Sequence, residues 1–201
     1  MSSVHLVIDT ATAYLYIALF DSENKLIEEV YEEGNNDHSV KLMKRLKQCF
    51  SKHDLKPSQI AKITVGIGPG SYTGVRVGVV VAKMLAWTLE VPIFKVSSLA
   101  LLASGADQTG HVLAWMDARR GNGFYGRYEV SEDSVQIVDA DKYGEMARVR
   151  EKYNYDFELV MAKPRVIKVL KSELVERVEN VHELSPVYLR ETEAEQALKD
   201  Q

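Results

Sequence analysis

The chain has 201 residues, 46 % of them apolar and 27 % charged, which suits one large soluble domain or two small ones. Its net charge of −4 argues against an autonomous nucleic-acid binder, and its single cysteine, Cys49, excludes an internal disulfide and points to a reducing compartment. Met1 to Ser3 brings no basic leader, Val4 to Ile8 is too short for a signal segment, and no uncharged run approaches the roughly 20 residues that span a bilayer, so the expected place is the cytoplasm.

Val4 to Asp9 reads as a buried strand, Thr10 to Ala13 as a turn, Leu15 to Phe20 as a second strand and Lys25 to Tyr31 as a third, so the chain opens as a meander. Gly34 to Asp37 is a loop, and Asp37 or Ser39 is placed to cap the next helix. Leu42, Met43, Leu46, Cys49 and Phe50 recur at helical spacing over 38–53, with Lys41, Lys44, Arg45 and Lys47 mostly opposite. Ile60 to Ile67 is a fourth strand and Val91 to Val96 a short fifth, followed by a short helix over Leu99 to Ala103. Ser104 to Gly110 is the best linker, dividing an N-terminal lobe, 1–106, from a smaller C-terminal lobe, 107–201. Beyond it the pattern restarts with strands at His111 to Met116, Asn122 to Val130 and Val135 to Val138. Two meanders suggest a duplicated α/β architecture.

Between the fourth strand and a long apolar segment lies Gly66-Ile67-Gly68-Pro69-Gly70-Ser71-Tyr72-Thr73-Gly74-Val75-Arg76. A strand, a glycine-rich turn and a helix place unpaired backbone N–H groups at a helix N-terminus, which can hold an anion or simply turn the chain. Three common readings fail on spacing. A Walker A loop needs Lys where Val75 stands. A dinucleotide fingerprint needs glycine where Ser71 or Thr73 stands. A nucleophile elbow needs its serine one place later than Ser71.

The helix over 74–89 is apolar on almost every face, so it is expected to be buried all round. Gly74, Gly78, Ala82 and Ala86 recur every fourth residue and form a smooth ridge that lets another element approach closely, from the same lobe or from another chain.

Little here points to catalysis. His5, His38, His53, His111 and His182 have no partner at metal-ligand spacing, so no metal site is expected. Asp9 ends the first strand, where a carboxylate serves either a metal-bound phosphate or its own turn. Asp117-Ala118-Arg119-Arg120-Gly121 is either a hairpin loop held by an Asp–Arg pair or a small anion site. No Ser/His/Asp or Cys/His set can be assembled.

Gly68 to Arg76 resembles the signature of the TsaB (YeaZ) family, through Gly68, Pro69, Gly70, Ser71, Thr73, Gly74 and Arg76. Ile8-Asp9-Thr10-Ala11-Thr12, His38-Ser39, Val96-Ser97-Ser98-Leu99, Met116-Asp117-Ala118-Arg119-Arg120-Gly121 and Pro186-Val187-Tyr188-Leu189-Arg190 match other family motifs in order. The likeness covers 4–128 and 184–190, while 129–183 is shorter than in longer members and carries little of the pattern.

That resemblance implies the actin/Hsp70/sugar-kinase fold, ribonuclease H-like, with two duplicated lobes. It also implies a non-catalytic subunit of the machinery that makes N6-threonylcarbamoyladenosine at tRNA position 37. In the paralogous catalytic subunit, TsaD, a His-x-x-x-His metal pair follows the fifth strand. The corresponding places here hold Ser98 and Leu102, and the turn after Asp9 lacks the glycine of a phosphate loop. The resemblance implies a partner of TsaD type bound through first-lobe helices, with Leu42, Leu46, Gly74, Gly78, Val81, Ala82 and Leu85 as the expected interface. It further implies a TsaE-type ATPase, contact with tRNA through the complex, and a homodimer when the chain is isolated. No cofactor is expected on this chain alone; ATP or ADP and a divalent metal belong to the partner complex. The alternatives are an independent ATP-dependent phosphotransferase of the same fold and, with much less support, a peptidase.

Overall fold

A computed structural model describes residues 3–34 and 38–190, and among these no helix is long and apolar enough to cross a membrane. The capping candidate Asp37 and the side chain of His38 lie outside the described residues.

The first sheet has the order β10-β5-β4-β1-β2-β3. Its meander is β1 (Val4–Asp9), β2 (Tyr14–Phe20) and β3 (Leu26–Glu33). Helix α1 (His38–Lys52) leads to β4 (Ile60–Gly66), parallel to β1, and α2 (Tyr72–Leu89) leads to β5 (Ile93–Val96), parallel to β4. The second sheet, β8-β7-β6-β9, repeats the plan: β6 (Gly110–Asp117), β7 (Asn122–Val130) and β8 (Val135–Glu145) form a meander, and β9 (Phe157–Leu159) runs parallel to β6. An open sheet built twice from a meander and a parallel strand is the ribonuclease H-like, actin-like architecture.

Alternation along β1 sets the two faces of the first sheet. Val4, Leu6 and Ile8 join a core with Leu42, Leu46, Cys49 and Phe50 of α1 and Val75, Val79 and Ala82 of α2. Val7 joins a second core with Tyr16, Ala18 and Phe20, and with Val112, Ala114, Tyr128 and Val130 of the other sheet. Between the sheets lies α3 (Ser98–Ser104), every residue of which is buried. Its run Leu99-Ala100-Leu101-Leu102-Ala103 is apolar all round because both sides of it meet a sheet. Each of its leucines contributes about 1.5–3 kcal/mol by leaving water.

Three features depart from the sequence reading. The expected linker at 104–110 is packed rather than loose: the Ser104 hydroxyl accepts from the Arg165 N–H at 3.0 Å, and the Arg165 guanidinium donates to the Ala106 carbonyl at 3.1 Å. β8 runs seven residues past Val138, because two irregularities opposite Arg127 let the strand bend and continue through polar residues. The chain also returns to the first lobe. β10 (Glu176–Val178) adds to β5, and Leu184 enters the first core beyond a short 3-10 turn over Val181–Glu183. The remaining short helices are α4 (Met146–Lys152) and α5 (Ile167–Leu170), with a 3-10 turn at Pro57–Gln59.

Candidate functional site

The glycine loop folds down onto the turn after β1, and several of its N–H groups are bonded there or to neighbouring side chains. Ser71 N–H bonds the Ala11 carbonyl at 2.7 Å, and Gly74 N–H bonds the capping Ser71 hydroxyl at 3.2 Å. Gly68 N–H bonds the Ser98 hydroxyl at 3.0 Å. Thr10 Oγ1 donates to the Gly74 carbonyl at 2.6 Å and accepts from Gly78 N–H at 3.0 Å. The glycines are there for close approach: a Cβ at Gly70 would strike the Ala11 carbonyl and one at Gly74 the Thr10 carbonyl. One at Gly78 would stand 2.5 Å from the Thr10 hydroxyl. The turn reading of this loop is met at Gly70, Gly74 and Gly78, where the β1–β2 turn occupies the space a Cβ would take, while the loop and that turn also line a cleft.

Asp9 sits beneath this contact. Its carboxylate accepts from Ala11 N–H and from the Ser98 hydroxyl, each at 3.0 Å, and burial raises its pKa to about 6 against the pull of those bonds. The turn reading of Asp9 is therefore the one realised, extended by a bond to α3. The adjacent Ser97 caps α3 and donates to Asp141 at 2.5 Å, and Asp141 also takes the Tyr128 hydroxyl at 2.5 Å. Burial again raises the Asp141 carboxyl. The N-terminus of α3 thus carries one carboxylate from each sheet, Asp9 buried and Asp141 half-buried. Ser98 is engaged with Asp9, and the buried Leu102 lines the cleft and has no metal-binding atom. Among the described residues no three of His, Cys, Asp and Glu come together as a metal would need.

The motifs converge on a cleft of about 940 Å³ between the lobes. The closing segment 186–190 is stitched to the glycine loop: Val187 N–H bonds the Ile67 carbonyl at 2.8 Å, and Arg76 Nε bonds the Tyr188 hydroxyl at 2.6 Å. Arg76 lies 4.0 Å above the Tyr72 ring, and Tyr72 packs on Tyr188 with centroids 4.9 Å apart. Arg190 reaches the Ala118 carbonyl in the β6–β7 hairpin at 3.3 Å. In that hairpin the Asp117 carboxylate accepts from the backbone N–H of Arg119 at 2.9 Å. Arg119, Arg120 and Gly121 follow with φ of 69°, 54° and 76°.

The expected interface requires correction. Leu42, Leu46, Gly74, Gly78 and Ala82 are buried in the chain's own first core, and Val81 and Leu85 are half-buried against it. The small ridge is needed because Thr10 and the sheet come close to α2, not because another chain does. Nor is α2 covered on all sides. Its outer stripe exposes Val80 at 61 %, Met84 at 46 % and Trp87 at 65 %, beside Val40 at 71 % and Met43 at 45 % on α1, which packs against α2. These are the residues that sequence reasoning missed. The available signal was phase: positions 40, 43 and 47 and positions 80, 84 and 87 lie opposite the residues that face the sheet. Contiguous exposed apolar side chains of this size mark interaction sites.

A duplicated actin-like α/β protein whose glycine loop packs on the β1–β2 turn and whose first helix pair exposes an apolar face is the class that these features define. The family model described as "TsaD: tRNA N6-adenosine threonylcarbamoyltransferase" matches residues 27–172. The Bacillus subtilis tRNA threonylcarbamoyladenosine biosynthesis protein TsaB is 41 % identical over 138 residues, 68 % of this chain and 60 % of the relative. The Escherichia coli protein of the same name is 31 % identical over 133 residues, 65 % of this chain and 57 % of the relative. The chain therefore belongs to the TsaB (YeaZ) family, matching about three-fifths of the length of these relatives. The solved structure of YeaZ from Pseudomonas aeruginosa superposes with a TM-score of 0.76 at 24 % identity, covering 93 % of this chain and all of that one, which establishes the common fold.

Proposed function

We propose that this chain is a non-catalytic scaffold and activator in the synthesis of N6-threonylcarbamoyladenosine at tRNA position 37, docking a TsaD-type catalytic subunit on the outer face of α1 and α2. The observation that carries this reading is the exposed apolar stripe on α1 and α2. Thr10 and Ala11 bond Gly74, Gly78 and Ser71, which ties the turn after β1 to the glycine loop at the edge of the cleft. A phosphotransferase needs a metal-holding set beside its nucleotide, and among the described residues no three of His, Cys, Asp and Glu come together, so the alternative enzyme reading is not favoured. The exposed Val40, Met43, Val80, Met84 and Trp87 supply what a scaffold needs, an apolar surface on a rigid two-helix layer.

On this reading the chain binds no cofactor alone. ATP or ADP and a divalent metal belong to the assembled complex, as do the TsaE-type ATPase and the tRNA. The same face associates with a second copy when the catalytic subunit is missing. The test is reconstitution: modified tRNA is measured with the TsaD-type subunit of the same cell, with and without this chain, beside ATP turnover by this chain alone. Strong stimulation with no turnover alone is the expected outcome. ATP turnover of order 1 per second by the purified chain, ordinary for an enzyme, would favour the phosphotransferase.

A further inference from the structure

The α1–α2 face carries a charge pattern at odds with the rest of the chain. In a protein of net charge −4, α1 holds Lys41, Lys44, Arg45, Lys47 and Lys52, α2 holds Arg76 and Lys83, and neither helix contains an Asp or a Glu. We infer that this face is read by charge as well as by shape: its partner presents an apolar patch ringed by carboxylates, and the same cations weaken docking of a second copy. The inference rests on the docking reading above and specifies its partner.

Lys41 donates to the Glu33 carbonyl and Arg76 stacks on Tyr72 and bonds Tyr188; the other five cations fall into two sets. Arg45 and Lys52 turn toward β3, where Glu32 and Glu28 meet them at 2.6 Å each. Lys44 and Lys47 are exposed on the outward stripe of α1, at helical spacing with Val40 and Met43. Lys83 stands on the stripe of Val80, Met84 and Trp87, and its ammonium donates to the carbonyls of His182 and Leu184 at 2.9 and 2.8 Å, groups that carry no formal charge. Of the carboxylates near in the fold, Glu28 and Glu32 are bonded to Lys52 and Arg45, Glu90 follows the last turn of α2, and Glu183 lies between the two residues whose carbonyls Lys83 bonds, at the rim of this surface. Apolar side chains flanked by Lys44, Lys47 and Lys83 therefore form the outward surface.

An isologous dimer places the same lysine-flanked patch on both sides, so each copy brings positive charge to the contact and neither helix brings a carboxylate to meet it. Like charges there oppose association, whereas a carboxylate rim on another protein favours it and speeds encounter. Salt separates the two cases. From about 0.1 M to about 1 M the Debye length falls from about 10 Å to about 3 Å, which removes repulsion and attraction alike. Self-association then tightens with salt, while association with the cognate subunit loosens.

The test titrates the full chain against the TsaD-type subunit of the same cell at both salt concentrations, beside sedimentation of the chain alone. The expected result is cognate affinity about tenfold weaker at high salt and self-association unchanged or tighter. Lys44→Glu with Lys47→Glu, both exposed and so compatible with folding, weakens the cognate complex about tenfold at low salt and flattens its salt dependence. Trp87→Ala tests the underlying reading, since it removes apolar contact at either salt. If Trp87→Ala leaves the cognate complex intact, the docking reading itself fails. If Trp87→Ala disrupts it while salt and the lysine reversals do nothing, the charge inference alone is overturned. Self-association that weakens with salt also overturns it.

Discussion

The two lobes share one strand plan and cover their outer faces in opposite ways. The first sheet lies under α1 and α2, whose inner stripes are core and whose outer stripes leave Val40, Val80, Met84 and Trp87 exposed. The second sheet lies under α4, only seven residues long, which closes a small core of Leu113, Tyr125, Met146 and Val149. Its outer side chains are matched locally: Arg148 pairs with Glu145 at 2.8 Å and Arg150 with Glu158 at 2.7 Å. An apolar layer left unmatched points to a partner, while a layer of ion pairs is complete in water. Duplication supplied two similar scaffolds, and the outer layer alone distinguishes the one suited to docking.

The strongest way to break this comparison is to place a charge in each layer. Trp87→Glu is expected to weaken binding of the TsaD-type subunit at least about 100-fold, as loss of an aromatic anchor does, with the melting temperature unchanged. Arg150→Glu on α4 is expected to leave that affinity within about twofold by the same titration. Equal losses from the two variants would remove the distinction between the lobes.

The next effect concerns Asp9, the buried carboxylate at the N-terminus of α3. Folding raises the Asp9 pKa from 3.8 to about 6, so the folded state binds the proton more tightly. That contribution to stability is fully present below about pH 4 and is lost as pH rises through about 6. About 2 units correspond to about 3 kcal/mol. Asp9→Asn keeps an acceptor for Ala11 N–H but cannot ionise. Its stability relative to the parent is expected to rise between pH 4 and pH 7 by about 2–3 kcal/mol, read from paired denaturation curves. A constant difference across that range would show that Asp9 does not titrate there.

A smaller effect tests the inner stripe. Ala82 is fully buried, and Ala82→Leu is expected to cost about 1–3 kcal/mol through overpacking, lowering the melting temperature by about 2–4 °C per kcal/mol in a chain of this size. Affinity for the partner should change little. If affinity falls while melting holds, the ridge faces a partner after all. The smallest effect belongs to the stitched arm. Tyr188→Phe removes the acceptor of Arg76 Nε and is expected to lower the opening free energy of 186–190 by about 0.5–1.5 kcal/mol, measured by hydrogen exchange at Val187.

Much of this was legible in residue order. The alternation of Val4 to Asp9, the helical spacing of Leu42, Leu46 and Cys49, and the strand–glycine–helix sequence around Gly68 identify their elements with ends correct to a few residues, because each pattern is local. The restart at His111 exposed the duplication for the same reason. What failed were inferences about who touches whom. The ridge of Gly74, Gly78, Ala82 and Ala86 reads equally well as a contact within the fold or between chains. Only the approach of Thr10, some 64 residues away in the case of Gly74, decides for the former. The return of β10 to β5 and the bond from Arg76 to Tyr188, 112 residues on, follow no periodicity at all.

The sequence by itself determined the kind of protein: two meander-led α/β lobes, the family motifs, and two first-lobe helices, α1 and α2, without carboxylates. These depend on composition and on spacings of two to four residues, which backbone geometry converts directly into faces. Tertiary structure alone decided which face of α2 is interior, that the glycine loop closes on the β1–β2 turn, and that α3 is clasped by a carboxylate from each sheet. Those outcomes depend on contacts between distant segments, where burial and steric fit choose among arrangements that local pattern leaves equal.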